Sequence, residues 1–146
     1  MWQLSTKGRY GLRLMFQLAL KYGQGPVFLK DIAQAENLTI KYLEHIVPLL
    51  KAAKLIRSVR GPHGGYQLTK DPGDITLKII LKNLEGDIAP VDCVSLPAVC
   101  TRSNTCTARN VWCVLEENIS NTLQRITLND MVDMYNKKKG GIDKKQ

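Results

Sequence analysis

The 146-residue sequence predicts a mainly α fold that carries one small β-hairpin and ends in a long helix. Three observations lead there. Apolar residues recur at helical spacing through residues 7–50, a glycine-rich turn separates two short β-rich stretches between residues 55 and 68, and apolar positions return every four residues from 111 to 123.

The elements follow in order. From Lys7 to Tyr22, the positions Tyr10, Leu14, Leu18 and Tyr22 fall on one helical face, and Gly23 to Pro26 ends that helix. Residues 29–36 (LKDIAQAE) form a short second helix with Ile32 and Ala33 facing inward, and Asn37 and Leu38 make the turn. Thr39 can cap a third helix through its side-chain oxygen, with Tyr42, Leu43, Ile46, Leu49 and Leu50 as its apolar face. Pro48 removes a backbone donor inside that helix, so a kink or tightening is expected there. Leu55, Ile56, Ser58 and Val59 alternate like a strand, run into RGPHGGY at Arg60 to Tyr66, and leave through Gln67 and Leu68. Three glycines and one proline between two β-rich stretches read as a hairpin tip. Thr76 caps a further helix that runs to about Leu84 and stops at Gly86. After a polar stretch, Val111, Leu115, Ile119 and Leu123 mark a long helix over 108–125, and Thr127 caps a last short one, LNDMVDMY.

Two short helices, a turn, a third helix and a hairpin make a winged helix-turn-helix. The wide major groove of duplex DNA admits the third helix, and the hairpin can reach the backbone or the neighbouring minor groove. Thr39, Lys41, Glu44 and His45 are the polar residues near the start of that helix, of types that bond phosphates or base edges. Arg57, Arg60 and His63 belong to the wing, where a narrow minor groove favours a cation.

Charge supports the same division. Residues 1–80 hold 12 basic and 5 acidic side chains, residues 81–136 hold 4 and 7, and the last ten hold 5 and 1. The overall +8 is therefore a basic front, a mildly acidic middle and a basic tail. The front suits a phosphate backbone. At 44% apolar and 23% charged the chain is ordinary for a folded protein, which excludes wholesale disorder. No apolar run approaches the roughly 20 residues that cross a bilayer, and no signal-peptide pattern opens the chain. No membrane partner and a cytoplasmic location are expected.

In such a reducing location, four cysteines point to metal or redox chemistry more than to structural disulfides. Cys93, Cys100 and Cys106 lie in DCVSLPAVCTRSNTC with six and five residues between them. Pro90, Pro97 and the polar run Thr101 to Thr105 oppose a continuous helix or strand. Three thiols on one loop can converge on a point, and thiolates suit zinc, Cu(I) and iron–sulfur clusters. The spacing matches no common zinc finger of paired short CxxC turns. Cys113, beside Trp112 on the long helix, reads as a packed residue. A thiol enzyme would need a base near the reactive cysteine, and no His or CxxC lies near this loop, so no enzymatic activity is expected.

At residue level the chain resembles the Rrf-type winged-helix transcription regulators. The resemblance covers residues 4–135 and rests on LSTKGRYGLRLM at the start, LTIKYLEHIVPLLKAAKLI around the third helix, SVRGPHGGYQL in the wing and VWCVLEENISNTLQRITLNDM after the cysteines. The family includes the iron–sulfur assembly regulator IscR, the nitric-oxide sensor NsrR and the cysteine-metabolism regulator CymR, and the three loop cysteines match its cluster-bearing members. The resemblance implies a homodimer crossed through the long helix, two operator half-sites, and a cluster, [2Fe–2S], held by Cys93, Cys100 and Cys106. The fourth ligand is open. IscR-like members place a His three residues after the last cysteine, where this chain has Arg109. NsrR-like members use an acid near the start of the first helix of the other subunit, where this chain has Arg9. Arg109 stays protonated and cannot ligate iron. Cys113, one turn beyond Arg109, is one candidate for the missing ligand, and the others are an unassigned side chain, backbone or an exogenous thiol.

The expected organisation is a DNA-binding domain over 1–86, a cysteine loop over 87–107, a dimerisation helix with a short final helix over 108–136, and a basic disordered tail over 137–146. The expected function is a homodimeric regulator of operator DNA that senses cluster or redox status. The alternative is a cluster-free regulator of the same fold, controlled by a partner protein or by thiol oxidation.

Overall fold

A computed structural model describes residues 3–143, in which seven α-helices surround one two-stranded antiparallel hairpin. Helix α1 spans Thr6–Leu20, α2 Leu29–Glu36 and α3 Ile40–Ala52. The Ser5 hydroxyl caps α1 by accepting from the Gly8 N–H at 3.3 Å, and Leu14, Met15 and Leu18 of the same helix are buried. The turn from α2 to α3 is made at Asn37, whose left-handed backbone (φ 52, ψ 50) asparagine tolerates better than most side chains. Thr39 caps α3 as expected, accepting from Tyr42 N–H at 3.2 Å. Helix α3, in which a kink or tightening was expected at Pro48, runs through that residue to Ala52. Pro48 lies on the exposed side, where water can satisfy the carbonyl that loses its intrahelical donor.

Strands β1 (Ile56–Val59) and β2 (Gly65–Leu68) pair in the register Ile56↔Leu68, Arg57↔Gln67, Ser58↔Tyr66 and Val59↔Gly65. Val27 pairs with Tyr66 of β2 in a separate antiparallel bridge, through reciprocal bonds at 2.8 and 2.9 Å. At Gly65 (φ 136) a Cβ would run into the Val27 carbonyl, so glycine is required for that close approach.

Helix α4 spans Leu77–Glu85, capped by Thr76 and closed at Gly86. Its face of Leu77, Ile80, Leu81 and Leu84 is buried, and most of it meets α1 and α3 in one core with Leu14, Leu43, Ile46 and Leu50. The cysteine segment then makes two single turns, α5 (Asp92–Ser95) and a 3₁₀ turn at Pro97–Val99, before α6 (Thr107–Arg125) and α7 (Leu128–Asp143).

The C-terminal pair is anchored at its elbow. Leu77 N–H donates to Ile126 O at 2.8 Å and Leu128 N–H donates to Ile75 O at 2.9 Å, a short bridge that seats the fully buried Leu128 in the core. Burying that leucine is worth about 1.5–3 kcal/mol. Thr127 and Asp130 then cap α7 reciprocally, with Thr127 Oγ1 accepting from Asp130 N–H and the Asp130 carboxylate accepting from Thr127 N–H. In contrast, α6 buries none of its own residues, and Val111 and Val114 are 56% and 57% exposed.

One expectation is corrected. The final helix was expected to be short and followed by a disordered tail from residue 137, but α7 continues through Lys137–Lys139 and Gly140–Gly141 to Asp143. Phe16 of α1 packs edge-on against Tyr135 at 5.6 Å and fixes the helix just before the lysines, which are themselves good helix formers. Residues 144–146 of the expected tail lie outside the described residues.

Candidate nucleic-acid interface and cysteine segment

The start of α3 is braced from behind. Arg13 of α1 donates through Nε to Glu36 Oε2 at 2.7 Å and through Nη2 to the Glu36 carbonyl, and Gln17 Nε2 donates to Glu36 Oε1 at 2.5 Å. Tyr10 packs edge-on against Tyr42 of α3 at 5.2 Å, with the Arg13 guanidinium over its ring at 5.4 Å. These contacts hold both sides of the helix-turn-helix turn to α1, so the polar face of α3 is presented in a fixed orientation. Thr39, Lys41, Glu44 and His45 are all exposed on it. The spacing of Lys41, Glu44 and His45 puts them on one side of the helix. Lysine and histidine can donate to phosphates or to guanine, while a carboxylate can accept from the cytosine amino group.

The wing is tied to that helix. Lys51 Nζ of α3 donates to Ser58 Oγ of β1 at 3.2 Å. At the tip, Arg60 and His63 are exposed, with Gly61 in a positive-φ conformation (φ 114) between them. Arg57 is placed differently. Side chains alternate along a strand, so Arg57 projects from the face opposite Ser58. With the Gln67 amide oriented oxygen-first, that oxygen accepts from Arg57 Nε and Nη2 at 2.7 and 2.6 Å. Arg57 thus lines a cleft with Lys21 and Tyr22 at the end of α1, away from the α3 face that carries Lys51. The structure brings Thr39, Lys41, Glu44 and His45 together, puts Arg60 and His63 at the wing tip, and separates Arg57 from both groups.

Sequence reasoning missed Arg13, Gln17, Glu36 and Lys51 as supports of this face. No local pattern marks them, because Arg13 and Glu36 are 23 residues apart and each alone reads as a solvated charge.

The cysteine segment begins where α4 ends. Ser5 N–H and Oγ both donate to Glu85 Oε1, at 2.9 and 2.6 Å, which ties the start of α1 to the last residue of α4. Cys93 lies in α5, Cys100 follows the 3₁₀ turn, and Cys106 is the N-cap residue of α6. These three and Cys113 are free thiols, each half-buried. Arg109, in the first turn of α6, donates through Nε to the Cys93 carbonyl at 2.9 Å and so closes the segment on itself.

The thiols share that closed segment without meeting at one point. Among the described residues no three His, Cys, Asp or Glu side chains are grouped as a metal site, with Cys93 in α5, Cys100 after the 3₁₀ turn and Cys106 at the head of α6. As a donor set, three half-buried thiols fit three ligand positions of a soft metal or an iron–sulfur cluster. Arg109 supplies no fourth, being protonated and engaged as a donor to Cys93.

Comparison with known proteins agrees with this architecture. The family model Rrf2, described as an iron-dependent transcriptional regulator, matches residues 4–134. The HTH-type transcriptional regulator CymR of Bacillus subtilis is 40% identical over 129 residues, 88% of each chain. Its solved structure, described as that of the global cysteine regulator of that organism, superposes with a TM-score of 0.78 over 92% of this chain and 98% of its own. The regulator IscR of Photobacterium profundum is 34% identical over 130 residues, 89% of this chain and 75% of its own. The structure of T. potens IscR has a TM-score of 0.76 and 38% identity, over 91% of this chain and 88% of its own.

Proposed function

The chain belongs to the Rrf2 family of transcription regulators and is a DNA-binding protein rather than an enzyme, and from that premise we propose that it is a homodimer whose cysteine segment reports iron–sulfur cluster status to operator DNA. The single observation that carries the sensing part is the set of three half-buried thiols on one segment, closed by Arg109 and joined directly to α4 of the DNA-binding core. Cys93, Cys100 and Cys106 would hold the cluster, [2Fe–2S] in this reading. When bound, the cluster would supply redox-active iron with the three thiolates as its ligands, which would tie the three residues to one centre. The remaining steps belong to the chain. Ordering the segment pulls on Gly86, the residue after Glu85, and Glu85 holds Ser5 at the head of α1. Helix α1 in turn carries Arg13, Gln17 and Tyr10, which set the pose of α3.

The exposed apolar residues Val111, Trp112, Val114 and Leu115 on α6 support pairing of two copies through that helix. Two-fold pairing presents two copies of α3 to two half-sites, with Thr39, Lys41, Glu44 and His45 over the major groove and Arg60 and His63 at the flanking minor groove. No helix among the described residues is long and apolar enough to cross a membrane. Selection from a random duplex library tests the DNA part. The expected winners carry two inverted half-sites, and recovery of unrelated sequences without symmetry would contradict it.

A second reading has its own support. Identity to CymR of Bacillus subtilis, 40%, exceeds the 34% to IscR of Photobacterium profundum and, by a small margin, the 38% to T. potens IscR. In this reading the regulator carries no cluster and responds to a partner protein or to thiol oxidation. Alkylation of the reduced thiols would then alter DNA binding while iron chelation would not, the reverse of the cluster reading's dependence on iron.

A further inference from the structure

A cavity of about 220 Å³ lies between the DNA-binding core and α6, and neither the DNA face nor the three-cysteine set uses it. Lys78 and Lys82 of α4 form one wall, Glu116 and Ser120 of α6 form the other, and Gly86 and Asp87 lie at its end. A spacing of four puts the two lysines on one face of α4, and it does the same for Glu116 and Ser120 on α6. Among the described residues neither lysine forms an ion pair, so the opposite charges face each other across the gap instead of closing it.

That arrangement selects its ligand by charge. A simple anion is repelled by the carboxylate wall and a simple cation by the ammonium wall. A small zwitterion satisfies both. The volume is below the roughly 300–1,000 Å³ of sites for drug-sized molecules, so the occupant is metabolite-sized. We propose that this cavity binds a free α-amino acid, its carboxylate on Lys78 and Lys82, its ammonium on Glu116 and Asp87, and its side chain against the apolar wall of Ile119 and Leu123. The ligand would bridge α4 and α6. Beyond Asp87 the surface continues into a second cleft lined by Val94 and Ser95, next to Cys93. An amino acid held there therefore touches the chain leading to the cysteines and biases the core, the long helix and the sensor segment together. This input goes beyond the cluster reading and does not rest on it.

Isothermal titration of the full chain with each neutral L-amino acid tests the proposal, with acetate and methylammonium as probes that carry only one of the two charges. The expected result is saturable binding of at least one amino acid, none of either one-charge probe, and affinity weakened by about tenfold in Lys82→Met and in Glu116→Gln, what one charge-assisted hydrogen bond contributes. Lys82 is exposed, and Lys78→Met provides a second variant on the same wall. Thermal melts confirm that each variant is folded. Absence of binding by every amino acid, equal binding of acetate, or unchanged affinity in both folded variants overturns it. The titration needs neither DNA nor iron, so its failure is separable from failure of the regulatory reading.

Discussion

Arg13 on α1 grips Glu36 at the end of α2 twice, through an ion pair to its carboxylate at 2.7 Å and a bond to its carbonyl. This one guanidinium therefore holds the side chain and the backbone of the residue that opens the turn into α3. The Arg13 side chain is 41% exposed, so solvent screening leaves the ion pair a small share of the stability. Its larger effect is on geometry.

Replacing Arg13 by Ala is expected to lower stability by only about 1 kcal/mol, the net value of a typical hydrogen bond. DNA affinity should fall similarly for all sequences, because the pose of α3 changes while its base-reading side chains stay in place. Melting curves and anisotropy titrations on selected and scrambled duplexes measure both. A change in sequence preference would show that Arg13 itself reads bases.

The two arginines of the wing should separate. Arg60→Ala is expected to weaken binding to the preferred duplex by about 1–3 kcal/mol and to relax preference at one position. Arg57→Ala breaks the link to Gln67 and should reduce stability with little change in sequence preference. Equal effects of the two on specificity would contradict the placement of Arg57 on the far face.

Two glycines of α1 approach α4 and respond differently to the same change. A Cβ at Gly8 would meet the Glu85 carboxylate, the flexible end of a side chain that can swing aside. Breaking the Ser5 bonds is then offset by the roughly 1 kcal/mol that alanine gains over glycine in a helix, leaving Gly8→Ala nearly neutral. A Cβ at Gly11 would instead meet Leu84, which is buried and has nowhere to go. Gly11→Ala should destabilise by about 1–3 kcal/mol, the penalty of overpacking a core. Chemical denaturation of both variants checks the order.

Truncation after residue 136 removes the last turns of α7 with Lys137, Lys138 and Lys139. Non-specific DNA affinity should fall, and the slope of log affinity against log salt should flatten by about 0.9 for each phosphate that these lysines neutralise. Sequence preference should persist. An altered preference would give these lysines a role beyond electrostatic attraction.

These outcomes also mark where the sequence is a good guide. The second helix is legible to its last residue, because a turn residue able to adopt positive φ, Asn37, stands directly after it. Thr39, Thr76 and Thr127 announce their helices through capping chemistry that acts over three residues. Local rules fail where distant contacts decide. Lys137–Lys139 and the glycine pair look like a solvated tail, but tertiary packing of Tyr135 on Phe16 holds that stretch as helix. Arg57 looks like any wing arginine until the strand register turns it toward Gln67. Six- and five-residue spacings tell how far three thiols can reach, and leave open how the intervening turns orient them.

Cys93, Cys100 and Cys106 are proposed to hold an iron–sulfur cluster in a dimeric regulator. Ultraviolet–visible absorption of the protein purified without oxygen, with iron and sulfide quantified on the same sample, tests it most directly. The expected result is a coloured protein with iron and acid-labile sulfide in equal amounts, and loss of that absorption when the three cysteines are changed to serine. A colourless, iron-free protein carrying one zinc per chain would contradict it.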